Sequence, residues 1–225
     1  MTTDLSRHIP EGITWIRAAV ASIPIVGGAL DHLVFDKADA IRVKNLESAI
    51  AAISSQIKSV REETIDKDWF QSDEALAAFK ILSDKASYEP DRSKVDAMGR
   101  IVAACGNKAH SKDPKKLSVV EHLSRLSTIQ IKLLAVVATV QPTQKKVSTG
   151  GLEQTATAIW ISDIISKLRT VPQFWEGTLT VDQELEVLES YNTLRRIQLM
   201  GSAEAAYTLT NIGKRAASYV QTAGL

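Results

Sequence analysis

One cysteine in 225 residues, Cys105, excludes an intrachain disulfide and any cysteine-built zinc site. A reducing, cytoplasmic compartment is the default that follows. Glycine and proline number only 11 and 6, too few turn residues for many short strands, so helices are favoured. Aromatic residues are scarce, and Trp15, Trp69, Trp160 and Trp175 are dispersed. They read as anchors of local core rather than as an aromatic cage. Charge of either sign is also missing in excess. The formal net value is +1, so no global field draws in nucleic acid. The start, "MTTDLSRHIPEG", lacks the basic-then-apolar order of a secretory signal.

Catalytic and metal signatures are absent as well. His8, His32, His110 and His122 show no HExxH spacing, and no GxSxG elbow or GxGxxG loop occurs. The histidines read as structural or surface groups. Glu62, Glu63, Asp66 and Asp68 cluster near Trp69, but paired carboxylates do acid–base work only when one is buried, and these fall in a polar turn. Cys105 lies at core spacing, as a packed thiol would. The expectation is a protein that is not an enzyme and holds no cofactor or metal.

The longest low-charge run covers residues 12–30 and carries only Arg17. Its length is near the lower bound for a membrane span. Arg17 would cost about 2.5–3.5 kcal/mol at a bilayer centre. Pro24, Gly27 and Gly28 would break the helix in mid-span. Ile13, Ile16, Val20 and Ile23 instead follow a helical rhythm. The favoured reading is a buried helix–hinge–helix with its hinge at Pro24, Gly27 and Gly28. Conditional membrane insertion is the second reading and a ligand loop the third.

A long amphipathic helix is predicted over 29–63. Val43, Leu46, Ile50, Ile53, Ile57 and Val60 alternate steps of three and four, the pattern of a helix seam. That seam suits either an intramolecular bundle or a homodimer. Ser72 is placed to cap the next helix, with Leu76, Phe79 and Leu82 inward. Val95, Met98, Val102 and Cys105 mark another helix face, closed by Gly106. Residues 108–116, "KAHSKDPKK", read as a basic linker between a helical bundle region (1–107) and a second domain (117–225).

Beyond the linker, a helix with Ile129, Leu133, Val136 and Val137 inward precedes a loop, "QPTQKKVSTGG". "LEQTATAIWISDIISKLRTV" reads as one helix, with Ile159, Trp160, Ile164 and Leu168 apolar. Thr180 caps a further one, "VDQELEVLESYNTLRRIQLM". "IQLMGSAEAAYTLT" reads as a small β-hairpin, and Thr210 caps a last helix. The fold class expected is all-α with that one hairpin. This order, ending in Leu209-Thr210-Asn211-Ile212-Gly213, resembles a winged-helix domain leaving its wing. With "IPIVGGALDHLVF" and the long helix, the layout also resembles uncharacterised bacterial Abi-alpha-type (abortive-infection-associated) proteins.

The resemblance implies an interaction role associated with phage defence and brings no catalytic residues. The partner expected is another protein or a second copy. Membrane contact, peripheral to the inner membrane, is conditional on release of residues 13–30. Nucleic acid is disfavoured. The helix in the recognition position carries Asp182, Glu184, Glu186 and Glu189, with Arg195 and Arg196 only at its end. From Ser118 onward, ten Lys/Arg face nine Asp/Glu, so the tail has no basic excess. The rival expectation is a winged-helix transcriptional regulator touching DNA through Lys115, Lys116, Arg195 and Arg196.

Overall fold

The computed structural model describes residues 35–149, 152–171, 181–199, 202 and 204–225. The hinge at Pro24, Gly27 and Gly28, the run 13–30, Trp15, Trp175, His8, His32 and the Thr180 cap lie outside the described residues. The protein is predominantly helical with a small four-stranded antiparallel sheet. The described residues form two compact units, divided after Thr128, with 222–224 in the first and Leu225 in the second.

The first unit packs α1 (Phe35–Ser59), α2 (Asp73–Ala86), α3 (Arg92–Cys105) and α4 (Lys116–Ser124). Along the seam, Leu46, Ile50 and Ile53 of α1 are buried while Val43 and Ile57 are half-buried; the helix expected to reach residue 63 stops at Ser59, so the half-buried Val60 lies just beyond it. Small residues bring α1 and α3 together. A Cβ added at Gly99 would lie 2.6 Å from the Ala49 carbonyl oxygen and 2.8 Å from the Ala52 Cβ. The buried stretch of the seam therefore meets α3 of the same chain. Asn45, also buried, donates to the carbonyls of Ala86 and Glu89, both at 2.8 Å, satisfying groups at the end of α2.

Ser72 caps α2 as its position predicts, accepting from the Ala75 N–H at 3.2 Å. Leu76 is nevertheless exposed, because Ala75, Ala78, Phe79 and Leu82 form the buried stripe. Gly106 ends α3 for a different reason from the one its position suggests. Its φ is −85°, outside the left-handed region. A side chain there would strike the Phe70 ring at 2.2 Å, so packing requires the glycine. Residues 108–116 lie within the first unit and do not separate two units. His110 and Lys116 are buried there, since both long polar side chains find partners inside.

The second unit contains α5 (Thr128–Thr139, whose first residue falls in the first unit), β1 (Thr143–Thr149), β2 (Leu152–Trp160), α6 (Ile161–Leu168), α7 (Val181–Ser190), β3 (Leu194–Ile197), β4 (Ala206–Leu209) and α8 (Asn211–Thr222, whose last residue falls in the first unit). Strand order is β1-β2-β4-β3. The expectation of a loop followed by one helix over 141–171 is corrected: β1 and β2 form a hairpin, and the helix starts only at Ile161. Thr155, Thr157 and Ile159 alternate with Ala156, Ala158 and Trp160. That period of two puts Ala158 and Trp160 into a core with Ala206. The helix expected through Met200 stops at Ser190, and Asn192 takes a positive φ of 57°. Arg195 and Arg196 therefore sit on β3 and not on a helix end. Ile129, expected inward, is 37% exposed.

Candidate functional site

Among the described residues, three places bring polar chemistry together. The first is α7 with the β3–β4 hairpin. Val181, Glu184, Leu185 and Leu188 are buried at helical spacing, which leaves Asp182, Gln183 and Glu186 on the solvent face. The buried Glu184 carboxylate is held by Gln130 Nε2 at 2.9 Å. Glu189 accepts from the Arg196 backbone N–H at 3.1 Å, joining helix to strand. Arg195 and Arg196 are exposed. Burial raises the pKa of the Tyr207 phenol. The Arg196 charge opposes this, and Asp182, Glu189 and Glu186 reinforce it. Arg196 of β3 thus shares its surroundings with the carboxylates of α7.

The second place ties β1 to α6. Lys145 Nζ lies 2.9 Å from Ser162 Oγ and 3.0 Å from Glu204 Oε2, and 4.8 Å from the Trp160 ring centroid. The Ser162 backbone N–H donates to Glu204 Oε1 at 3.0 Å, so Glu204 also caps α6. Burial pulls the Glu204 pKa upward. Hydrogen bonds from Ser162 and Lys145 outweigh it and hold the carboxyl below its ordinary range. A serine hydroxyl beside a lysine has the outline of a nucleophile with its base. Here the ammonium is engaged by a carboxylate and has no lone pair to take the Ser162 proton. Trp160 Nε1 donates to the Thr143 carbonyl at 3.0 Å, and Thr143 Oγ1 to Asp163 at 2.8 Å. The cluster fastens the base of the β1–β2 hairpin.

The third place is in the first unit. Lys116 is 3% exposed, its Nζ 3.6 Å from Glu74 Oε2 and 5.3 Å from the Trp69 ring centroid. Trp69 Nε1 donates to the same Glu74 oxygen at 2.7 Å. Lys116 is thus unavailable to phosphate, while Lys115 is exposed. Cys105 is fully buried, and burial first of all pushes its thiol well above the ordinary range, so it is a packed and unreactive group. Asp66 accepts from the Trp69 N–H at 3.1 Å, a turn contact. No group of three metal-ligating side chains occurs among the described residues, and no helix there is long and apolar enough to cross a membrane.

His110 Nε2 lies 2.9 Å from Thr222 Oγ1. Burial lowers its pKa below 6.5; Asp113 opposes and Lys116 adds to the shift. Burial likewise lowers His122, with Arg125 adding. The unfolded chain therefore binds more protons than the folded one below about pH 6.5. The stability these groups contribute is complete above that pH and is lost as pH falls through the folded values. Thermal melts should show a falling midpoint from pH 7 to 5, and His110→Gln should flatten part of that slope. An unchanged slope in the variant contradicts the assignment. The lowered carboxyls, Asp91 and Glu204, act in a separate, more acidic window.

Sequence spacing did not reveal Lys116 or the Lys145–Glu204 pair, because each depends on residues far apart in the chain. No family model, curated protein or solved structure matches the chain.

Proposed function

We propose that the protein is a non-catalytic interaction protein whose second unit is a winged helix adapted to contact protein rather than DNA. The order α5, β1, β2, α6, α7, β3, β4, with β4 between β2 and β3 and β1 added at the edge beside β2, supports the winged-helix reading. In it, α7 holds the recognition position and β3–β4 the wing. One observation carries the choice of partner: the solvent face of α7 presents Asp182 and Glu186 and no cation. Facing phosphate, those charges repel where a DNA reader gains its affinity. The Abi-alpha-type resemblance sets such contacts in phage defence, with residues 13–30 as a second working surface toward a partner or a membrane.

The exposed Arg195 and Arg196 favour the rival, a DNA-binding regulator that touches phosphate with its wing. A salt titration of duplex DNA binding separates the two. The expected result is no retained complex at physiological ionic strength. A shift that steepens as salt is lowered and disappears in Arg195→Ala establishes the regulator instead.

A further inference from the structure

Strand β1 stands at the edge of the sheet and runs for seven residues. Which of its backbone groups are free follows from the register. The Ile161 N–H donates to the Ala205 carbonyl at 3.1 Å. Trp160 and Ala206, which lie opposite each other, are therefore a pair that exchanges no backbone bonds. The N–H and C=O of Trp160 point away from β4, to the β1 side. By alternation, Ala158, Ala156, Gln154 and Leu152 bond to β1. Their partners Thr143, Lys145, Val147 and Thr149 turn their own groups inward. Gln144, Lys146 and Ser148 turn theirs outward. Gln144 and Lys146 are exposed, and among the described residues no other backbone group bonds to this edge.

We propose that β1 is a self-association edge, pairing antiparallel with β1 of a second copy about a two-fold axis at Val147. The sequence and length of the strand, "TQKKVST", select that centre: an axis at Gln144 or Ser148 pairs only residues 143–145 or 147–149 of β1, whereas one at Val147 pairs 145–149. A two-fold axis at Lys145 or Lys146 sets a lysine directly against its own copy, and one between them sets Lys145 against Lys146; like charges so placed are repelled. With the axis at Val147, Lys146 faces Ser148 of the second copy, Lys145 faces Thr149, and valine faces valine. Lys146 and Ser148, whose backbone groups are free, become the hydrogen-bonded pairs. The two Lys146 residues approach only diagonally, and each carries Glu153, whose Oε2 is 3.3 Å from its Nζ.

The opposite edge has no such solution around its cations. Strand β3 has four residues, and an axis on or between Arg195 and Arg196 sets arginine against arginine. A net charge of +1 leaves little long-range repulsion between copies. One short edge falls below the roughly 1,200 Å² of a standard interface, so the dimer is weak and concentration-dependent. The inference uses the sheet edge alone and is independent of the winged-helix reading.

Cysteine scanning of the full chain tests it without background, because Cys105 is buried. Opposed residues of a non-hydrogen-bonded pair stand about 4.5 Å apart at Cα, within disulfide reach. Diamide oxidation of Val147→Cys should give a disulfide dimer, Lys146→Cys less of it, and Gln144→Cys little. No dimer from Val147→Cys, equal yields at positions 144 and 147, or more at 146 than at 147 overturns the proposal. Light scattering across concentrations adds a second arm. The wild type should rise toward twice the chain mass, and Lys146→Pro should not, since that N–H is not used inside the hairpin. A wild type of constant single-chain mass, or a proline variant that dimerises equally, overturns it as well.

Discussion

Gly213→Ala should destabilise the second unit by about 3 kcal/mol, at the upper end of overpacking effects. The expected sign opposes helix propensity. Gly213 lies in α8, and alanine inside a helix is ordinarily favoured over glycine by about 1 kcal/mol. Here the added Cβ would sit 1.9 Å from the Thr193 carbonyl oxygen and 2.9 Å from its carbon. Both are backbone atoms, and neither can swing aside as a side chain does. That carbonyl also accepts from the Thr210 N–H at 3.1 Å, while Thr210 Oγ1 accepts from the Gly213 N–H at 3.0 Å. Moving Thr193 would therefore disturb the cap of α8 and the β3–β4 junction together. Urea unfolding of the two proteins checks this. A loss below about 1 kcal/mol shows that the junction gives way more cheaply than overpacking allows.

Glu74→Leu should destabilise the first unit by about 3 kcal/mol, whereas Lys116→Met should stay within about 1 kcal/mol of the wild type. The asymmetry comes from desolvation. Lys116 is almost wholly removed from water, so deleting its carboxylate strands an ammonium against the Trp69 ring. Deleting the lysine leaves Glu74, which is one-third exposed and still receives Trp69 Nε1. The partial exposure of Glu74 sets the first value at the low end of the range for broken buried pairs. Denaturant melts of both single variants and the double variant measure it. Equal losses in the two single variants contradict the burial argument, and a double variant no better than Glu74→Leu does the same.

The capping and seam signals were readable because they are local. Ser72 and Thr210 cap as their positions predict, since a cap depends only on a side chain and the N–H groups just beyond it. Leu46, Ile50 and Ile53 are buried because helical spacing alone puts them on one face. The β1–β2 hairpin was not legible because Ile159, Trp160, Ile164 and Leu168 also fit a helical period, while the alternation of threonine with alanine in β2 spans only a short window. Trp160 and Ile164 lie four apart, as on a helix, yet Trp160 ends a strand and Ile164 belongs to α6. Lysine and proline made residues 108–116 look like a linker. Nothing near Lys116 in the chain announces Glu74 or Trp69.

By itself, then, the chain determined its helical character, the capped starts at Ser72 and Thr210 and the inward face of its long helix, because these follow from hydrogen-bond geometry and periodicity over a few residues. Only the tertiary structure decided that Lys116 goes inside, that Lys145 meets Glu204 and that Gly213 lies against Thr193. Each of these depends on which distant segments meet, and a charge or a missing side chain acquires its energy from that neighbour rather than from its place in the sequence.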